Sequence, residues 1–278
     1  MLGTLIIVFI VGAIVGSLLN VVIYRYPIML EREWNAEAAQ QLHQDTPEKS
    51  APLNLYLPRS HCPHCKHKIA AWHNIPLLSF LLLRATCAYC HAKISFQYFF
   101  VELLTAVLSV IVVLTFQLTP EAVGLLILTW GLIALSFIDF RHQFLPDAIT
   151  YCLLWLGLLF STKHVFISPV AAIIGAVVGY LFLWIIAKLY FLLRKQEGIG
   201  LGDCKMLAMI GTWTGALSLL NVLIFSTITA LIISLILICF KKITPARAIP
   251  FGPFIAMGGW ITLLFGPEIL MRISTWLA

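Results

Sequence analysis

"KMLAMIGTWTGALSLLNVLIFSTITALIISLILICF" occupies residues 205–240. It carries one basic residue, Lys205 at its edge, and no acidic one. A soluble core helix needs a polar face toward water, and this stretch has none. A bilayer's hydrocarbon, roughly 30 Å thick, accepts about 20 apolar residues as one helix. The stretch is longer than that, and Gly215 divides it, so it reads as two membrane helices, 204–215 and 216–240.

Outward from it the pattern repeats. Apolar runs at about 2–24, 98–117, 121–139, 147–162, 168–193 and 250–271 bring the expected spans to eight. The 278 residues are 61% hydrophobic and 11% charged, where a soluble domain carries about 25% charged residues. The expected fold is an all-α, polytopic integral membrane protein. Residues 1–24 differ from a secretory signal, because no basic residue precedes the apolar run and the charge follows it at Arg25.

Lysine and arginine placement orients the spans. With the N-terminus outside, the inner segments 25–97, 140–147, 188–205 and 241–249 carry 16 of the 18 basic residues, leaving Lys163 and Arg272 outside. This asymmetry accounts for the net charge of +6. No basic stripe interleaved with aromatics points to nucleic acid. There is no internal repeat, and no inverted pair of broken helices of the transporter kind. Residues 25–97 form one large polar insertion facing the cytoplasm, with Glu31 to Pro58 expected to be irregular.

The insertion holds Cys62-x2-Cys65 and, 21 residues on, Cys87-x2-Cys90. Two such knuckles supply four thiolates, enough for tetrahedral Zn²⁺. Two alternatives remain at this level. One is a pair of disulfides or a redox dithiol, which the reducing side of the membrane disfavours. The other has His61, His64, His67 or His91 in place of a thiolate. A closed site of this kind folds an insertion with little core of its own. Cys152, Cys204 and Cys239 read as packing residues.

Carboxylates within or beside the spans are few: Glu102, Asp139, Asp147 and Asp203, with Glu121 and Glu268 near the outer ends. Each is costly in hydrocarbon and marks a candidate functional position. Asp139 ends the third span in "LSFIDFRHQFLPD", and Asp203 opens the sixth in "EGIGLGDCK". Both fall at the cytoplasmic boundary. Two carboxylates at one depth can share a proton, as an aspartic protease requires. The bland alternative makes Asp203 a helix N-cap and Asp139 an interfacial residue. A cap needs one glycine at most, yet Gly198, Gly200 and Gly202 surround Asp203. Helix dipoles, taken for each residue's own helix, make Asp203 the base and Asp139 the acid. On the first helix, Gly12 and Gly16 suit close packing, and Asn20 suits an interhelical hydrogen bond, beside Ser17, Tyr24 and Arg25.

"GLGD" at 200–203 resembles the GxGD motif of membrane aspartyl proteases. "GSLLNVVIYRYP" at 16–27, the paired CxxC insertion, "NIPLLSFLLLR" at 74–84, "VELLTA" at 101–106 and "IDFRHQFLPD" at 138–147 resemble bacterial type IV prepilin peptidases. The resemblance covers about residues 12–260. It implies a bifunctional enzyme of the bacterial inner membrane. Such an enzyme cleaves the basic leader of prepilins and secretion pseudopilins at the cytoplasmic face, then N-methylates the new N-terminus with S-adenosylmethionine. It implies Asp139 and Asp203 as the catalytic pair, with Gly200, Gly202, Asp147 and Lys205 in support. It implies Cys62, Cys65, Cys87 and Cys90 as zinc ligands.

Glu102 is either linked to methylation or a plain helix-start acid, and Arg84 is a second candidate for that activity. The domains implied are a first helix 1–24, a methyltransferase-associated zinc insertion 25–97 and a peptidase helical domain 98–278. The chain departs from the family's usual residues at Gln97, Phe99 and Ala85, all near the insertion linked to methylation. On the residues alone two other classes compete. A proton-coupled carrier would use the same carboxylates as a relay, and a zinc or redox scaffold would have the insertion as its active part.

Overall fold

The computed structural model describes residues 1–42, 53–196, 198–240 and 249–277. Glu197, Lys241, Lys242 and Arg247 lie outside the described residues. The described chain is helical without strands, and each of the eight expected spans has its helix. The helices are α1 (Leu2–Gln41), α2 (Leu78–Leu82), α3 (Phe96–Phe116), α4 (Pro120–His142), α5 (Asp147–Ser161), α6 (Pro169–Arg194), α7 (Leu201–Thr214), α8 (Leu219–Cys239) and α9 (Gly252–Leu277). Among them α1, α3, α4, α6 and α8 are long and apolar enough to cross a membrane. The protein is therefore a multi-pass membrane protein. Two compact units divide it, Met1–Leu114 and Thr115–Ala278.

In the first unit α1 runs well past the expected end at residue 24. Its 40 residues are about 60 Å long, twice the hydrocarbon thickness. The irregular stretch expected from Glu31 is helical as far as Gln41. The reason is cooperative. Once α1 is nucleated, each added residue costs little, and "EREWNAEAAQQ" is rich in Glu, Ala and Gln, which favour helix. Residues 43–52 of that expected stretch lie outside the described residues, and 53–58 are non-helical. Arg25, buried within α1, donates to the Asn54 carbonyl at 3.0 Å and the Pro58 carbonyl at 2.6 Å. The guanidinium thus supplies donors to backbone groups that no helix or sheet satisfies.

The expected small-residue seam is present. A Cβ on Gly12 would stand 2.8 Å from Ala106 Cα, and one on Gly16 would stand 2.7 Å from Glu102 Cα. Only glycine lets the two backbones approach this closely. One turn on, Asn20 Nδ2 donates to the Tyr98 carbonyl at 3.0 Å.

In the second unit α7 is the centre, packed among α5, α6, α8 and α9. Cys204, Met206, Leu207, Met209 and Ile210 are fully buried. Gly175 of α6 and Gly211 of α7 abut through backbone alone, and Gly179 meets the Leu207 carbonyl. Trp213 Nε1 donates to the Leu153 carbonyl of α5 at 3.1 Å, so the indole is buried with its polar atom satisfied. Gly215 at φ +76° ends α7, as the sequence break predicts. Helix α4 starts at a Thr119 cap with Pro120 in its first turn. It stops at Gln143 in the left-handed region, leaving Asp139 in its last turn.

Candidate active site and metal centre

Asp139 and Asp203 line one cavity of about 250 Å³. Its other walls are Gln143, Phe144, Leu145 and Asp147, on the turn leading into α5, and Gly200–Gly202 with Lys205 at the start of α7. The two acids of separate sequence motifs are thus brought together, and each lies in the other's field. Asp139 is buried and Asp203 half-buried.

The N-cap of α7 is Gly200, with no side-chain capping bond. Asp203 is the third residue of the helix rather than its cap, and its carboxylate faces the cavity. The three glycines divide the work. Gly198 packs against the Tyr190 ring, and Gly202 packs against Leu145. Gly200 has open space around it except for Asp203 Oδ2, 3.6 Å from where its Cβ would be. Only this last glycine leaves room beside the carboxylate; the other two serve packing.

Gly252 is a member of the site that the sequence reading missed. Its N–H donates to Asp139 Oδ2 at 3.1 Å. Because α9 begins at Gly252, Asp139 faces the positive end of a helix remote in sequence. Asp203 lies in the first turn of α7. Both carboxylates therefore meet a helix N-terminus, and the assignment of acid and base from each residue's own helix loses its basis. The signal was present as "FGPF" at 251–254, a Gly-Pro pair where a helix starts.

Asp147 opens α5 and takes both oxygens to Lys205 Nζ at 2.8 Å. The ammonium also lies over the Tyr151 ring, 5.6 Å from its centroid. This ion pair joins α5 to α7 at the cavity wall.

In the other unit, the Sγ atoms of Cys62, Cys65, Cys87 and Cys90 all lie within 4.8 Å of one another. Cys62 and Cys90 are 3.7 Å apart, close to the edge of about 3.8 Å for a tetrahedron with 2.3 Å metal–sulfur bonds. All four are free of disulfides. The two knuckles are built alike at an offset of 25 residues. Cys62 N–H donates to the His67 carbonyl and Cys87 N–H to that of Ala92, while Lys66 and His91 N–H return to the Cys62 and Cys87 carbonyls. Lys66 and His91 both take positive φ, 59° and 56°. The backbone N–H of Cys65, opposed in part by burial and helped by that of His64, lowers the Cys62 thiol to about 6. The Cys90 and Tyr89 N–H groups lower Cys87 likewise. Such thiols are ready to bind metal as thiolates. The histidines do not join this cluster; His67 instead stacks on Tyr89 at 3.6 Å, and His61 Nδ1 lies 3.0 Å from the Arg59 carbonyl.

Glu102 Oε2 accepts the Leu77 N–H at 2.8 Å and also meets the Ser17 hydroxyl. It therefore ties α3 to the insertion and to α1. Arg84 follows α2 as an exposed residue at φ +50°.

A helical membrane protein with two carboxylates on one cavity and a four-thiolate knuckle pair is a narrow class. The bacterial peptidase A24 N-terminal domain family matches residues 10–116, and the type IV leader peptidase family matches residues 126–235. A prepilin leader peptidase/N-methyltransferase from Stutzerimonas stutzeri is 44% identical over 94% of this chain and 90% of its own length. Proteins of the same name from Aeromonas hydrophila and Dichelobacter nodosus are 47% and 46% identical, covering 94% and 92% of this chain and 91% and 89% of their own. The chain belongs to the type IV leader peptidase family. No solved structure matches it.

Proposed function

We propose that the chain removes the leader peptide from type IV prepilins and type II secretion pseudopilins and then N-methylates the new N-terminal residue. The observation that carries this is the cavity shared by Asp139 and Asp203, in a chain whose relatives bear that double name over most of their length.

In this reading the two carboxylates hold one proton between them, because two carboxylates lining one small cavity resist ionising together. The ionised member takes a proton from water. The protonated member hydrogen-bonds the scissile carbonyl as the water oxygen attacks it. The tetrahedral intermediate then collapses, the C–N bond breaks, and the leaving amine takes a proton from the pair. Gly252 N–H holds Asp139 in place, Gly200 admits the peptide backbone, Gly202 lets α7 close on Leu145, and the Asp147–Lys205 pair fixes the wall. S-adenosylmethionine would supply the activated methyl group for the second reaction, with Glu102 of α3 and Arg84 of the insertion as the candidate residues for that activity.

Cys62, Cys65, Cys87 and Cys90 hold a structural Zn²⁺, a reading supported by their spacing and tetrahedral edge. We take the chain as a first membrane span 1–24 within α1, a zinc insertion 25–97 and a peptidase domain 98–278, a division that these roles support. The basic-residue asymmetry supports an inner-membrane protein with its N-terminus outside and both sites facing the cytoplasm. The test is cleavage of a purified prepilin in detergent, with and without S-adenosylmethionine, by wild type, Asp139→Ala and Asp203→Ala. Cleavage by either variant at the wild-type rate overturns the mechanism. Mass spectrometry of the new N-terminus reads methylation separately.

A further inference from the structure

We propose that the insertion is seated on an anionic lipid surface, with α2 and Trp72 immersed in the bilayer interface. Three independent observations carry this.

The first is an apolar face that nothing in the described chain covers. In the five-residue α2, Leu78, Leu81 and Leu82 are 57%, 60% and 81% exposed, and Trp72 just before it is 70% exposed. Leucines in a water-facing loop of this size gain nothing by such a run. Trp and Leu at a membrane–water boundary bury their apolar surface while the indole N–H stays hydrated.

The second is depth. Phe80 of α2 stacks on Phe99 with centroids 5.2 Å apart and meets Phe96 edge-on at 6.0 Å. Leu77 N–H, at the start of α2, is held by Glu102 at 2.8 Å. These partners lie in the first two turns of α3, a helix that is itself long and apolar enough to cross the membrane. A rise of 1.5 Å per residue puts Phe96 and Glu102 about 9 Å apart along the axis. Helix α2 is therefore fixed at the level where α3 passes from water into hydrocarbon.

The third is charge. Between Leu53 and Ser95 the chain has five lysines and arginines (Arg59, Lys66, Lys68, Arg84 and Lys93) and no aspartate or glutamate. Arg84 comes directly after the leucine run. Its long stem lets the leucines enter while the guanidinium stays among phosphates. A basic segment beside an immersed apolar one matches anionic headgroups. Even beside a four-thiolate zinc centre of charge −2 the segment stays net positive, and that charge repels a second copy of this face, which makes lipid the better occupant. The four-thiolate knuckles are then held at the membrane surface, because they flank α2 in sequence on both sides.

The experiment uses the full chain in lipid nanodiscs. A ketone-bearing amino acid at position 82, and separately at Tyr56 (86% exposed), takes a spin label without touching the cysteines. The nanodiscs are phosphatidylcholine alone, or with about one-third phosphatidylglycerol. The expected result is an oxygen-to-nickel-chelate accessibility ratio several-fold higher at 82 than at 56, rising further in the anionic lipid. Lys66→Gln with Lys68→Gln should remove that rise. Equal ratios at 82 and 56 would put α2 in water and overturn the proposal. Low accessibility to both relaxants at 82 would mean a protein partner and overturn it too. A ratio indifferent to lipid charge overturns the anionic assignment. Leu82 is 81% exposed, so the label leaves the fold intact.

Discussion

Gly252 N–H and Asp139 Oδ2 are 3.1 Å apart although 113 residues separate them in sequence. A Cβ at position 252 would lie 2.6 Å from that oxygen and 3.3 Å from Leu145. The glycine is required by closeness to the carboxylate, and its backbone N–H is one of the free donors at the start of α9. Gly252→Ala is expected to push Asp139 aside by a fraction of an ångström to an ångström. Misplacement on that scale costs about 10²-fold in rate. The prediction is a fall in kcat of about that size with helical circular dichroism unchanged. A wild-type kcat would show that Asp139 does not depend on this contact.

Replacing either acid removes proton transfer while keeping shape. Asp139→Asn and Asp203→Asn are each expected to lower prepilin cleavage by at least about 10³-fold, within the usual range for general acid–base groups. The double variant should be little worse than either single one, because the pair acts as a unit. Methylation of a synthetic peptide already lacking its leader should persist in all three. Loss of methylation alongside cleavage would mean that the two activities share this cavity.

The ion pair of Asp147 and Lys205 makes a weaker prediction. Asp147 is 52% exposed and Lys205 25%, so solvent screens the pair, and exposed pairs contribute about 0–1 kcal/mol. Asp147→Asn should leave thermal stability nearly unchanged. It should lower kcat/KM by a few-fold, because the pair lines the cavity without facing the reacting atoms. A loss as large as that of Asp203→Asn would promote Asp147 to the catalytic pair.

How much of this was legible in the sequence depends on the range of the interaction. Spans were readable because hydropathy is a local sum, and the break at Gly215 because one residue sets it. Gly12 and Gly16 were readable because a helix repeats every four residues. The pairing of Asp139 with Asp203 needed membrane depth as a shared coordinate, which lysine and arginine placement supplied. Three features escaped. The extension of α1 to Gln41 escaped because polar residues next to an apolar run look like loop, although an existing helix extends through them at little cost. Gly252 escaped because its partner lies far away in sequence. The glycines at 198 and 202 look equivalent to Gly200 beside Asp203 in the sequence, but Tyr190 and Leu145 fill their space. Which glycine serves which neighbour is a tertiary fact.

The knuckle pair gives the last prediction. Residues 59–95 have two isolated bridges, His61 with Lys68 and Thr86 with Lys93, a 3₁₀ turn at Ala71–Asn74 and one short α-helix. Little of its apolar surface is buried, so a metal must supply much of its folding free energy. Cys62 and Cys87 are buried while Cys65 and Cys90 are exposed. A chelator therefore has access to the outer thiolates first. Purified protein is expected to hold one zinc per chain by elemental analysis. Removing it should expose four reactive thiols and make residues 59–95 sensitive to protease, with the membrane helices unaffected. Cys65→Ser should weaken metal retention as much as Cys62→Ser, since the four donors act together. The buried Cys62→Ser should lower expression further, because it also disturbs the packed side of the knuckle. Full protection of residues 59–95 in the metal-free protein would show that the fold there stands without the ion.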